Sequence, residues 1–463
     1  MKQLKWQIGE YIAFVDHDDL LRPFSIYEVV KAINENNLPD FIYSDEDIII
    51  GNKRCNAHFK PDFSIDTLRS YNYICHLSVI KRSLLEKIGY LNKEFDGAQD
   101  YDLVLRVAEN TKSIVHIPKV LYSWRMHKNS TSGSASSKTY AFDAGKRAIE
   151  AHLKRMNIEA EVFNLNEPGR YRVKYALKEN SLVSILIPNK DSKEDLKKCI
   201  DSVLKSSYDN FEIIVIENNS KEAETFEYYE ELEKNEKIKV VRYETNVFNY
   251  SKINNYGEKF AKGKYLLFLN NDTEVINDTW LEEMLGLIQR DDVAVVGAKL
   301  LYFDSTVQHA GVIIGMGGVA GHIHKGIEDS DVGYFSRASV INNFSAVTAA
   351  CMMTKKELFE KVGGFEEEGL RVAFNDVDYC MKVVCEGYLC VYTPQAKLYH
   401  YESKSRGLEN TKEKKERFLK EIHFFQEKWS TQLKKGDPYF NKNLRLDTAK
   451  FMVEYRKKID YGK

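Results

Sequence analysis

The chain has 463 residues, and its 67 lysines and arginines nearly balance 69 aspartates and glutamates, for a formal net charge of −2. That balance excludes a general electrostatic pull toward nucleic acid, and 43% hydrophobic content is enough for real cores in about two large or three ordinary domains. Seven cysteines without a C-x-x-C pair speak against a disulfide frame or zinc knuckle and for a reducing compartment.

In chain order, 11–15 reads as a short strand running into Asp16, His17 and Asp18. Pro23 opens a helix over 24–34, and 41–43 is a strand ending on Ser44, Asp45, Glu46 and Asp47. Residues 77–88 read as strand then helix, closed by Gly89. An acidic turn over 95–102 carries Asp100 into a helix at 103–108, and a strand at 113–117 precedes Tyr122-Ser123-Trp124-Arg125-Met126-His127. The serine-rich 129–138 reads as a flexible loop. A helix over 140–156 and two short strands around Pro168-Gly169 then read as a connector.

From 182 onward strands and helices alternate. Strand 183–188 is followed by helix 192–205, with Ser192 as its N-cap, and strand 211–216 ends in Glu217-Asn218-Asn219-Ser220. A charged helix to 234, a strand at 239–241 and a helix at 250–261 lead to strand 265–269. This last strand ends on Asn270-Asn271-Asp272. The alternation predicts an α/β fold with a mainly parallel sheet. Five apolar residues suit a strand covered on both faces, and open α/β sheets bind ligands beyond such strand tips. Further on come a glycine-rich stretch at 311–321, a helix at 355–362 and Phe374-Asn375-Asp376-Val377-Asp378 opening another helix. A strand at 389–392, the segment 398–403 and a charged amphipathic helix at 412–429 complete the series. The expected boundaries are 1–138, a connector at 139–181, a complete domain at 182–406, and a helix with tail at 407–463.

One ordered set of residues occurs twice. Strand-tip Asp272 precedes helix-opening Asp376, and His400 follows 400 − 376 = 24 residues later. In front, Asp18 precedes Asp100, and His127 follows 127 − 100 = 27 residues later. The repetition points to a duplicated domain. A carboxylate and an imidazole converging at a sheet tip suit Mg2+ or Mn2+, with substrate phosphates filling the other positions. Such a cation neutralises charge growing on a diphosphate leaving group. A carboxylate at a helix start, such as Asp376, suits a general base acting on an incoming hydroxyl. Lys404 and Arg406 either reach the phosphates or belong to a mobile charged loop.

Three features invite other readings. Gly315 to Ala320 has the G-x-G-x-x-A spacing of dinucleotide-binding turns, but no amphipathic helix follows it. His322 and His324 alternate as on a strand, without two further nearby ligands for zinc. Phe418, Ile422, Phe425 and Trp429 line one helix face, which reads as core packing with room for peripheral contact with a lipid-linked acceptor. No segment reads as a signal peptide or a membrane span, so a cytoplasmic protein, at most peripheral at the inner face of the plasma membrane, is expected.

The second half resembles an inverting family 2 glycosyltransferase of the GT-A (nucleotide-diphosphosugar transferase) fold, and the first half resembles the back portion of another. Within that family it is most similar to bacterial rhamnosyltransferase-like enzymes of surface polysaccharide assembly. The strings that carry this are Val183-Ser184-Ile185-Leu186-Ile187-Pro188, Leu269-Asn270-Asn271-Asp272, Gln308-His309-Ala310-Gly311, Phe374 to Asp378 and His400-Tyr401-Glu402-Ser403. In front, Asp96 to Asp102 and Tyr122 to Arg125 match in the same way. The resemblance implies tandem domains, the first lacking its nucleotide-binding half. It implies a nucleoside held by Pro188, Asn189, Asp191, Glu217, Asn218 and Asn255, a metal held by Asp272 and His400, and Asp376 as base. The implied donor is a UDP- or dTDP-sugar and the acceptor a glycan or lipid-linked glycan. The family's Asp-x-Asp is Asn270-Asn271-Asp272 here, and its nucleoside-binding aspartate is Glu217. Asp16, Asp18, Asp100 and His127 are the front equivalents, expected to be inactive alone. The missing half comes from a separate chain, or the front domain is a remnant acting as acceptor platform or scaffold, or the start is misplaced. The rival readings are a non-catalytic scaffold that assists a partner enzyme and a glycosidase, which needs paired carboxylates but neither nucleotide nor metal.

Overall fold

The computed structural model describes residues 8–126, 139–245, 247–402 and 411–454. Its contacts divide the chain into two units. Unit 1 comprises Met1–Ala176, Pro438–Arg445 and Met452–Lys463, and unit 2 comprises Leu177–Asp437 and Leu446–Phe451. Each is mixed α/β.

Unit 2 is built on a ten-stranded sheet. Ile238–Arg242, Phe211–Glu217, Val183–Asn189 and Tyr265–Leu269 lie side by side and parallel, as the alternation of strands and helices predicts. Next to Tyr265–Leu269 comes Cys351–Lys355, antiparallel, then Val293–Leu301, antiparallel again. Leu389–His400 runs parallel to Val293–Leu301, and the short Thr273–Val275 closes the edge antiparallel to it. Leu266, Leu267, Phe268 and Leu269 are fully buried, which explains the uninterrupted apolar run.

Unit 1 repeats the second half of this sheet in the same order and sense. Tyr11–Phe14, Ser78–Lys81, Phe41–Ile50, Ile114–Met126 and Leu20–Leu21 are neighbours, related antiparallel, antiparallel, parallel and antiparallel. Its core gathers Val29, Ile42, Val79, Leu121 and Tyr122. Among the described residues of unit 1 no strands correspond to the three parallel strands that flank Tyr265–Leu269 in unit 2.

Two strands are longer than their sequences suggest. Leu389–His400 and Ile114–Met126 run through Pro394 and Pro118, residues that ordinarily end a strand. Each proline falls in a register shift, between the pairings of Thr393 and Lys397 and between those of Ile117 and Val120, where the ladder needs no amide donor.

The expected boundaries shift for similar reasons of packing. Helix Thr139–Arg155 belongs to unit 1 rather than to a free connector, because His152 and Arg155 both bond Glu109 of helix Gln99–Asn110. Helix Lys412–Lys428 belongs to unit 2, with Phe418 and Phe425 against Phe374. The glycine-rich stretch forms a hairpin of Val312–Ile314 with Ala320–His322, and no helix follows Gly318 as a dinucleotide turn requires. No described helix is long and apolar enough to cross a membrane.

Candidate active site

At the end of Tyr265–Leu269 the chain turns polar while still enclosed, and Asn271 and Asp272 stay buried. The edge strand that follows sets Thr273 opposite His400. This pairing brings His400 Nε2 to 3.2 Å from Asp272 Oδ1. The imidazole is held on both sides, with Nδ1 2.6 Å from Gln308 Oε1 and Nε2 3.1 Å from Asn270 Nδ2. Cis ligands on a metal with bonds of about 2.1 Å stand about 3 Å apart, so the Asp272–His400 spacing fits a shared cation. Among the described residues no group of three or more His, Cys, Asp or Glu side chains gathers to hold a metal, neither here nor at His322 and His324.

Asp376 opens helix Asn375–Cys385. Its Oδ2 accepts from Ala349 N at 3.1 Å and its Oδ1 from Val377 N at 2.8 Å, so two backbone amides orient the carboxylate. A chain of bonds joins it to the Asp272–His400 pair. Tyr250 OH donates to Ala349 O at 3.2 Å and lies 3.4 Å from Asn270 Oδ1, and Asn270 contacts His400. On another side, His322 donates from Nδ1 to the Gln308 carbonyl, burial lowers its pKa, and the Asp376 carboxylate opposes that shift. His309 beneath it donates to Ala298 O, and burial brings its pKa to about 3, as befits a core residue.

Five of the implied nucleoside residues lie at the ends of the first parallel strands, Val183–Asn189 and Phe211–Glu217. Asn189 bonds Asp191 O, Tyr229 OH and Asn271, and Asn218 donates to Tyr243 O. Asp191 Oδ1 accepts from the amides of Lys221 and Glu222, and Glu217 Oε1 accepts from Ser220 N. Ser192 stands at the N-cap position in a left-handed conformation and makes no side-chain capping bond. Half-buried Pro188 ends this shelf. Asn255 is bound on both sides by the Phe365 backbone and by Glu367, where Gly364 at φ +60° lets the loop pass. A Cβ there would lie 2.7 Å from Asn255 Oδ1. The first five thus shape the loops at the strand ends, and Asn255 instead anchors the 364–367 loop. Lys404, Arg406 and His127 lie outside the described residues.

In unit 1, Asp16 Oδ2 is 3.6 Å from His76 Nε2, Asp100 accepts from Asn72 Nδ2, and Arg125 Nε donates to the Asp18 carbonyl. Burial raises the Asp100 carboxyl, against the lowering effect of His76. Leu20 pairs with Ser123 and Leu21 with Tyr122, as Glu274 pairs with Tyr399 and Val275 with Leu398. The register therefore carries Trp124, not a histidine, to the place of His400. The spacing agrees, because 124 − 100 = 24, the same interval as from Asp376 to His400. Gln308, Asn270 and Tyr250 were not assigned roles from the sequence. The Gln308-His309-Ala310-Gly311 string held the signal for the first, and nothing in the spacing marked Tyr250.

Residues 184–363 match the model of glycosyl transferase family 2. The chain is 44% identical over 451 residues to the uncharacterized protein y4gI of Sinorhizobium fredii, spanning 96% of this chain and 49% of that one. It is 37% identical over 441 residues to the O-antigen biosynthesis protein RfbC of Myxococcus xanthus, spanning 95% of this chain and 34% of that one. It therefore spans half or less of the length of these relatives. Among solved structures, the mannosyltransferase PcManGT of Pyrobaculum calidifontis, in complex with GDP-Man and Mn2+, overlaps 65% of this chain and 76% of its own. The TM-score is 0.41 at 13% identity, a likeness too slight to build on. The matched segment begins in strand Val183–Asn189 and takes in Asp272, and Asp376 and His400 lie beyond its end.

Proposed function

We propose that unit 2 is a GT-A glycosyltransferase that moves a sugar from a nucleotide-diphosphate donor to a hydroxyl of a polysaccharide or lipid-linked oligosaccharide, in cell-surface polysaccharide assembly. The family 2 domain and the relation to an O-antigen biosynthesis protein favour this class, with a UDP- or dTDP-sugar, rhamnose among the candidates, as donor. The observation that carries it is the Asp272–His400 pair at 3.2 Å, tied through Asn270, Tyr250 and Ala349 to the Asp376 carboxylate.

The loops of Pro188, Asn189, Asp191, Glu217, Asn218 and Asn255 hold the nucleoside. Asp272 and His400 hold a divalent cation, Mg2+ or Mn2+, which when bound offsets the charge that develops on the departing diphosphate. Asp376 takes the proton from the acceptor hydroxyl as its oxygen attacks the anomeric carbon. The new carbon–oxygen bond forms on the face opposite the one that breaks to the phosphate, so configuration inverts. Lys404 and Arg406 contact the diphosphate. Unit 1 binds no donor and serves as acceptor platform or scaffold, a reading favoured by Trp124 at the place of His400.

The test is Asp376→Asn in the full chain, assayed with a panel of nucleotide sugars by release of UDP or dTDP. Nucleotide binding should persist while turnover falls at least a hundredfold, in line with losses of about 10² to 10⁴ for a general base. Near-full turnover removes Asp376 from the role. Absence of any metal-dependent nucleotide binding favours the scaffold reading.

A further inference from the structure

We infer that Gln308 is a positioning residue that locks His400 in one tautomer, with the proton on Nδ1 and the Nε2 lone pair turned toward Asp272. The inference rests on the proposed reading of Asp272 and His400 as a cation site. The proton assignment follows from donors and acceptors. Gln308 is only 4% exposed, so its amide must find partners within the protein. Its Nε2 can only donate, and it stands 3.3 Å from the His400 carbonyl and 3.2 Å from Glu402 Oε2, both acceptors. That fixes the amide orientation and sets Oε1 against His400 Nδ1 at 2.6 Å. A carbonyl oxygen cannot donate, so Nδ1 carries the hydrogen. A flipped amide would place its NH2 against Nδ1 and its oxygen against a carbonyl and a carboxylate.

In the neutral ring the other nitrogen bears the lone pair. Nε2 faces Asn270 Nδ2 at 3.1 Å, an amide nitrogen that can only donate. A neutral imidazole with a free Nε2 lone pair is the form that ligates metal, and a partner on the opposite ring nitrogen commonly fixes it. Here the partner is a neutral amide, so the imidazole gains no negative character. A single carboxylate with a neutral imidazole suits Mn2+ better than Mg2+, which favours an all-oxygen shell.

Histidine-selective 15N labelling of the full chain reads the tautomer, with the His400 signals assigned by their loss in His400→Asn. Wild-type protein should show Nδ1 protonated and Nε2 bare, and should bind Mn2+ more tightly than Mg2+ in titrations read by electron paramagnetic resonance. Gln308→Leu should give a mixture of tautomers and bind Mn2+ about ten- to a hundredfold more weakly. The pair Gln308→Glu with Glu402→Gln keeps an acceptor on Nδ1 and exchanges the neighbouring donor. It should keep the proton on Nδ1, although its second carboxylate oxygen meets the His400 carbonyl, and it serves if Gln308→Leu fails to fold. A proton on Nε2 in wild type, or unchanged tautomer and affinity in Gln308→Leu, would overturn the lock. Wild type that binds no Mn2+ while Nδ1 stays protonated would overturn the cation site and leave the lock standing.

Discussion

Lys60 has no exposed side-chain surface, and its ammonium sits among the carbonyls of Ile74 at 2.6 Å and His76 at 2.7 Å and Glu46 Oε2 at 3.2 Å. Burial would raise the Glu46 carboxyl, but Lys60, His58 and the Trp124 indole N–H outweigh it and hold the pKa at about 2. The folded value lies below the ordinary 4.5, so this stabilisation is complete above pH ~4.5 and is lost as the pH falls toward 2. A depression of that size corresponds to about 3 kcal/mol. Roughly 2 kcal/mol of it should disappear between about pH 5 and pH 3. Hydrogen exchange at Ile42 and Tyr43, corrected for intrinsic rates, should then show protection falling about thirtyfold across that interval. In Lys60→Met the buried carboxylate loses its cation, which costs about 3–5 kcal/mol, and the pH-dependent drop should flatten. An unchanged drop in that variant would detach Glu46 from Lys60.

At the scale of elements, helix Lys412–Lys428 clamps the loop that presents Asp376. Glu421 accepts from the amides of Val372 at 3.0 Å and Ala373 at 3.2 Å, and burial raises its pKa. Trp429 Nε1 and Lys428 Nζ both bond Asp378 Oδ1 in the first turn of the helix Asp376 opens. Phe374, in a left-handed conformation at φ +62°, is held by the rings of Phe418 and Phe425. Glu421→Ala leaves buried amides unpaired and should cost about 1–3 kcal/mol locally. Mass-spectrometric hydrogen exchange should show faster exchange confined to 370–376, and no change there would remove the clamp. The apolar face of this helix was legible in the sequence because its period is helical. Its polar grip was not, since a glutamate on a charged helix face looks the same whether it meets solvent or two distant amides. The alternation of strands and helices from 183 was legible for the same reason of period. The extent of Leu389–His400 was not, because Pro394 hides a strand that absorbs it in a bulge.

Over the whole molecule, two sheets share one strand order but not one site chemistry. From the sequence, the ordered triplets Asp18, Asp100, His127 and Asp272, Asp376, His400 look alike apart from a three-residue difference in the second spacing, and pairing distinguishes them. Leu20 opposite Ser123 puts an indole where unit 2 has its imidazole, and that indole already donates to Glu46 at 3.0 Å. Glu46 in turn is neutralised by Lys60. His76 stands 3.6 Å from Asp16 at this tip, wider than the 3.2 Å of Asp272 and His400, and it stacks on Tyr122, which makes the tip a poorer holder of a divalent cation than that of unit 2. The full chain should therefore bind one Mn2+, not two, when free Mn2+ is titrated by electron paramagnetic resonance. Asp272→Asn should abolish that binding. Asp18→Ala should leave both the stoichiometry and the rate of sugar transfer unchanged, because Trp124 stands where unit 2 has His400 and His76 lies against Asp16 instead. Two equivalents of tightly bound Mn2+, or loss of one on changing Asp18, would make unit 1 a second cation site in spite of Trp124.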